Sequence, residues 1–193
     1  MLRKPFVSPT CLPFVPPEGA YQAQLKGVPA VSTNEEQAMN TPMLEERDRE
    51  AEQRENKEAR ARAEHFAELL APYLAAQFGY KRNYVTLGLV TTVNARTVKY
   101  DLYLRVTPQR GQWAGTNCLV IARIGFTPTH KGHGRRFMAF LVEYAERVGY
   151  SNIGIESTNE ESEAFGAKFG LLRHRDGNDL IGTVEEIKRR IAE

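Results

Sequence analysis

The sequence predicts an α/β (α+β) domain: a mixed, mostly antiparallel sheet with one central parallel strand pair and flanking helices. Three observations carry this. A strand-like run, Leu119 to Phe126, passes through the loop Thr129-His130-Lys131-Gly132-His133-Gly134-Arg135-Arg136 into a helical run, Arg135 to Val148, and then a short strand, Asn152 to Ser157. Such a crossover returns right-handed and makes its two strands parallel. Upstream, Tyr84 to Val93 and Thr97 to Val106 carry β-branched and aromatic residues in near alternation, as an antiparallel hairpin does. Downstream, Thr158 with Glu161 and Thr183 with Glu186 stand at capping-box spacing and open two further helices.

Taken in order, the chain divides into an arm (1–43), a helical segment (44–78) and a main domain (79–193). The arm holds Pro5, Pro9, Pro13, Pro16, Pro17, Pro29 and Pro42 with no helical or alternating period. Its apolar hooks, Phe6, Leu12, Phe14, Val15 and Tyr21, leave two readings open: an extended strap on the core or a second subunit, or a disordered tail. From Met43 to about Arg62 the residues are nearly all charged or helix-favouring, with opposite charges four apart in Glu50–Arg54 and Glu58–Arg62. This is a solvated helix, either a plain surface helix or an assembly element. Phe66, Leu69, Leu70, Tyr73, Leu74 and Gln77 then add a buried stripe, and Pro72 is expected to bend or restart the helix.

In the main domain, Asn94-Ala95-Arg96 reads as the turn of the first hairpin, and Pro108 to Thr116 as a loop in which Trp113 is either a packing plug or a substrate contact. Leu119-Val120-Ile121-Ala122 is apolar on both faces, as a central strand requires. The helix after the glycine loop repeats apolar residues at Phe137, Leu141, Tyr144 and Val148. A capped helix from Thr158 runs to about Phe169 and stops at Gly170. A last hairpin turns at Asp176-Gly177-Asn178, and a final helix spans Val184 to Ile191.

Composition narrows the function. The 193 residues hold 26 basic and 24 acidic side chains, a formal charge of +2, so nothing global points to nucleic acid or membrane. Cys11 and Cys118 lie far apart in unlike contexts and form neither a metal motif nor a redox pair. No apolar run reaches the ~18 residues of a membrane span, and the N-terminus leads into prolines rather than a signal-peptide core. The expectation is a soluble, cytoplasmic protein. Basic character clusters in one place. Gly132 and Gly134 let backbone N–H groups approach an anion, the following helix N-terminus adds partial positive charge, and His130, Lys131, His133, Arg135 and Arg136 surround the spot. The loop is a phosphate cradle.

The order of strand, glycine cradle, helix, strand, capped helix and terminal strands, over roughly Tyr84 to Thr183, resembles the acyl-CoA-dependent N-acetyltransferases of the GNAT superfamily. Gly132 to Gly149 looks like the family's coenzyme-A loop and helix. Asn159, Ala164-Phe165 and Lys168-Phe169-Gly170-Leu171 are similar to its second conserved block. The resemblance implies acetyl-CoA as cosubstrate and an amine acceptor attacking the thioester directly. It assigns the pyrophosphate to Lys131, Gly132, His133, Gly134, Arg135 and Arg136, with Asn159 nearby. The backbone of Ile124, Gly125 and Phe126 would pin the pantetheine and donate to the oxyanion, and no metal takes part. Two departures stand out. Thr129 occupies the position of an Arg or Gln, so Lys131 or His130 must replace that contact, and Gly166 stands where relatives carry an acidic tyrosine. With no carboxylate from Leu119 to Phe126, Glu156 is the candidate base. The competing expectation is a catalytically degenerate scaffold, such as a phage or virion component, assembling through residues 1–62.

Overall fold

The structure is a computed structural model that describes residues 34–89, 91–106 and 111–193, with side chains from 46 onward except 48. The proline arm before residue 34, Cys11 with it, and positions 107–110 lie outside the described residues. The chain divides into two compact units, Met1–Pro42 and Met43–Glu193; the second contains the sheet and the site.

Among the described residues, seven strands form one sheet: β1 (Val85–Leu87), β2 (Thr92–Arg96), β3 (Tyr100–Arg105), β4 (Cys118–Phe126), β5 (Asn152–Ile155), β6 (Leu172–His174) and β7 (Asp179–Thr183). Their spatial order is β1-β2-β3-β4-β5-β7-β6. Every neighbouring pair is antiparallel except β4 and β5, which run parallel from Cys118↔Asn152 to Ile121↔Ile155. The helices are α1 (Asn34–Phe78), α2 (His133–Val148), α3 (Glu160–Lys168) and α4 (Val184–Ala192), with one 3-10 turn at Gly111–Trp113. This mixed, mostly antiparallel sheet with a single central parallel pair is the architecture expected from the sequence.

Strand alternation assigns the two faces. Val93, Ala95, Leu102, Leu104, Leu119, Ile121, Ile153 and Ile155 are buried on one face, where they form a single core with α1, α2 and α4. Gly166 brings α3 onto the same face, lying against Leu180 and Ile155. On the opposite face a smaller cluster of Trp113, Cys118 and Val120 covers β4 and β5. Gly154 makes room for it, since a Cβ there would meet the Trp113 ring at 2.6 Å. Trp113 is therefore a packing plug, stacked on His174 with ring centroids 5.1 Å apart.

The first hairpin exists, but its turn is not at Asn94-Ala95-Arg96. Those residues continue β2, with Arg96 opposite Asp101, and the chain reverses at Thr97, whose N–H donates to the Tyr100 carbonyl at 2.8 Å. Ala95 is buried while Asn94 and Arg96 occupy the alternate, outward positions, so polar residues at period 2 imitate a turn. The upstream run also breaks near Gly88, separating β1 from β2.

Helix α1 starts at Asn34, inside the segment that the sequence pattern assigns to the arm, and continues unbroken through Pro72. An interior proline costs a helix about 3 kcal/mol; here Phe66, Leu70, Leu74 and Phe78, all in the core, hold both sides of it in place. Upstream, residues 46–58 apart from 48 are exposed, as a solvated helix predicts. Of the two expected ion pairs, Glu58–Arg62 forms at 3.8 Å, whereas Arg54 instead donates to the Glu50 main-chain carbonyl.

Two end signals correct the capping expectations. Helix α3 is capped by Asn159 and Ser162, a reciprocal box one residue beyond Thr158 and Glu161, because Thr158 Oγ1 donates to the Asn178 carbonyl instead. Thr183 caps α4 as expected, accepting from the Glu186 N–H at 3.2 Å.

Candidate functional site

The parallel pair ends early, and this creates the site. Its last link is the Glu156 N–H donating to the Ile121 carbonyl at 2.9 Å. Beyond it β4 continues to Phe126 on β3 alone, with Ala122 an extra residue between the pairs Leu104↔Ile121 and Tyr103↔Arg123. A bulge of this kind bends its strand. On the other side the chain turns away at Ser157 (φ 50), whose N–H is held by Asp179 Oδ1 at 2.7 Å, and enters α3. A cleft of about 630 Å³ opens between the diverging strands, within the usual range of ligand pockets. Antiparallel pairing with β3 uses only alternate backbone groups of β4, so the others from Ala122 to Phe126 face the cleft.

At one end lies the glycine cradle. Gly132 is the N-cap of α2 with φ 74, left-handed, and no side chain caps the helix start. The first-turn N–H groups are thus left for another acceptor, and the helix dipole adds to their pull on an anion. Gly134 is needed for packing: a Cβ would meet Phe165 at 2.6 Å. Hence the cradle rests on α3 through an aromatic edge.

Of the residues singled out from sequence, Ile124, Gly125, Phe126, Lys131, Gly132, His133, Gly134, Arg135, Asn159 and Glu156 line this cleft together. Arg136 does not. Its guanidinium braces the loop from behind, donating to Gln77 Oε1 at 2.9 Å, to the Lys131 carbonyl at 3.1 Å, and meeting His133 Nδ1 at 3.1 Å. Arg135 lines the cleft but also donates to the Ile191 carbonyl of α4 at 2.5 Å. Lys131 and His130 are exposed, and Lys131 supplies the outward-facing cationic side chain of the cradle. Asn159 commits its Oδ1 to the Ser162 N–H at 2.9 Å, so its first duty is to cap α3.

His133 sits against Phe78 and Phe126, with ring centroids at 4.7 and 5.9 Å. Arg136 can only donate, so His133 Nδ1 accepts and the ring is the neutral Nε2–H tautomer. Desolvation first, and the Arg136 charge second, lower its pKa below the usual histidine value. Its ring lines the cradle, and the surroundings disfavour its charged form.

Glu156 is bound to Arg105 Nε at 2.8 Å, in a pair whose side chains are 20% and 38% exposed. Arg105 in turn lies over the Tyr103 ring, 5.6 Å from its centroid. The sequence offers no sign of this partner, which comes from β3. At Gly166 a Cβ would meet Leu180 Cδ1 at 2.5 Å, so the position has no room for the tyrosine of the resemblance. Cys118 lies under Trp113, away from the cleft, and burial pushes its thiol up to about 12. Among the described residues, no thiolate nucleophile therefore stands at the site. No group of His, Cys, Asp and Glu able to hold a metal ion occurs among the described residues, and no described helix is long and apolar enough to cross a membrane.

No family model and no curated protein matches the chain. Solved structures do. The chain is similar to the AtaT–AtaR complex bound to DNA at 17% identity and TM-score 0.37, covering 54% of this chain and 79% of that one. It is similar to AtaTR bound with acetyl-CoA at 15% identity and TM-score 0.36, covering 51% and 68%. It is also similar to MesI, a CoA-dependent acyl-homoserine lactone synthase, at 12% identity and TM-score 0.34, covering 69% and 92%. With likenesses this distant, the reading of the site rests on the geometry of this chain.

Proposed function

We propose that the protein binds acetyl-CoA and transfers its acetyl group to an amine by direct attack. The observation that carries the reading is the cleft. It joins an uncapped helix start at left-handed Gly132 to a parallel strand pair that separates after Ile121 and Ile155. That combination offers an anion site at one end and exposed strand backbone along the slot, which suits a long ligand with a pyrophosphate and an amide-bearing arm. In this reading the α2 N–H groups, Lys131 and His130 hold the pyrophosphate, and the backbone of Ile124, Gly125 and Phe126 holds the arm and the acyl carbonyl. The transfer forms one C–N bond and breaks one C–S bond; the electron pair leaves with sulfur, and the amine proton passes to Glu156 or to water. Donors preset for the developing oxyanion are worth roughly 3–4 kcal/mol each.

A specific observation favours a second reading, a scaffold that keeps the fold without the chemistry. Gly166 supplies no acid and a larger side chain there would have to displace Leu180, while Glu156 is held in an ion pair. Calorimetry separates the cases. The transferase reading expects acetyl-CoA to bind and an amine panel to release free thiol; binding without thiol release supports the scaffold. No binding of acetyl-CoA or CoA at millimolar concentration overturns the transferase reading. Lys131→Glu is the cleaner control, because Lys131 is exposed and its structural contact uses the main-chain carbonyl. Replacing the cation by an anion should weaken acetyl-CoA at least tenfold, since a charge-assisted hydrogen bond is worth about 1.5–3 kcal/mol, and leave the ligand-free melting temperature unchanged.

A further inference from the structure

Residues from both faces of the sheet line the cleft. Phe165 and Phe169 line it from the helical face, whereas Arg123 lines it from the other, where it stands opposite Tyr103. On that second face the Trp113 plug covers β4 and β5 near Cys118 and Gly154 and reaches Ile181 of β7 and His174 of β6. Over β2, β3 and the end of β4, no described helix packs against the outward residues, and they form a polar row. Asp101 is shared by Arg96 at 3.6 Å and Arg123 at 3.4 Å. Tyr103 lies between Arg123, its cross-strand neighbour, and Arg105, which reaches Glu156. Three guanidiniums thus meet two carboxylates.

We propose that this row is the acceptor site, and that the acceptor is an amine carrying its own carboxylate or phosphate, held by Arg123 with the amine directed toward Glu156. The inference rests on the transferase reading and supplies its substrate class. Glu156 already has a full counter-charge at 2.8 Å, so it offers little net attraction to a polycation. Arg123 is different. Its link to Asp101 is long, its side chain is 58% exposed, and Asp101 is divided between two arginines, so guanidinium donors remain for a carboxylate or phosphate. Arg123 lies one strand across from Glu156 and one or two residues along, a backbone separation on the order of 5–10 Å. An amine and an anion within one small molecule span that distance.

The test uses the full chain with CoA at saturation, so that the phosphate cradle is filled before any acceptor probe is added. Glutamate, O-phosphoethanolamine and spermidine are then titrated by calorimetry. The expected result is binding of at least one of the two anionic amines and none of spermidine. Arg123→Gln should weaken that binding at least tenfold and Arg123→Lys by less, with CoA affinity in each variant reporting that the fold is intact. Spermidine binding in place of the anionic amines, an unchanged affinity in Arg123→Gln, or no probe binding to the CoA complex overturns the proposal and leaves the CoA reading standing. Failure of CoA itself to bind, read in the first titration, overturns both.

Discussion

Gly166 is the residue at which the chemistry of this site is most constrained. Helix α3 meets β7 so closely there that an added Cβ would stand 2.5 Å from Leu180 Cδ1 and 3.4 Å from Ile155 Cδ1. Gly166→Tyr should therefore fail to introduce an acid; it should destabilise the fold by about 3 kcal/mol, the upper range for overpacking, as read by chemical denaturation. His133 carries a different constraint. Its neutral form is favoured by desolvation, by Arg136 and by its place at the start of α2, so its folded pKa lies below the usual 6.5. The sign follows from linkage: a lowered folded pKa means that the unfolded chain binds the proton more readily. Stability from this residue is complete above pH 6.5 and is lost as pH falls from there through the lower folded value. Between pH 7.5 and 5.5 the wild type should lose more stability than His133→Gln; an equal loss in both would discount the role given to the Arg136 contact.

At the scale of elements, the two helices that border the site are held by different means. Helix α3 depends on its ends: Asn159 accepts from the Ser162 N–H and donates its own N–H to Ser162 Oγ. Asn159→Ala should cost about 1 kcal/mol, as cap deletions do, and loosen Phe165 against Gly134. The last part of α1 depends on its stripe. Phe66 is fully buried and meets Tyr144 edge-on at 4.7 Å, while Tyr144 donates its hydroxyl to the Arg62 carbonyl at 3.1 Å. Phe66→Ala should cost about 3–5 kcal/mol, measurable as a lower denaturation midpoint. Exposed residues between 46 and 58 carry no comparable weight: their ion pairs are surface pairs worth less than about 1 kcal/mol.

For the molecule as a whole, the cleft couples ligand to stability, because its walls come from β4, the cradle, β5 and α3, which the chain brings together only when folded. Acetyl-CoA at one hundred times its dissociation constant should add about 2.7 kcal/mol. For a domain of this size that is a rise in melting temperature of roughly 5–10 °C; scanning fluorimetry with and without the ligand gives the answer directly.

Periodicity makes much of this legible. The stripe of α1, the amphipathic face of α2 and the parallel return of β5 are properties of local pattern and of a handedness rule, and they appear where the sequence places them. So does the cradle, since a glycine before a helix is a local signal and Gly132 is indeed the left-handed N-cap. The errors fall where two readings share the same local letters. Asn94 and Arg96 are polar in a turn and polar on the outward side of a strand, and Thr158 and Asn159 both suit a cap; hydrogen bonds to other segments chose between them. Nothing in the sequence announces that β7 inserts between β5 and β6, that Arg105 reaches Glu156, or that Arg136 braces the loop instead of lining the cleft. Those are long-range contacts. By itself the sequence determined a glycine loop leading into an uncapped helix at a strand–helix junction, because backbone freedom and helix polarity are local. Only the tertiary structure decided which charges remain for a ligand, because each guanidinium takes its partner from whatever distant segment the fold brings within reach.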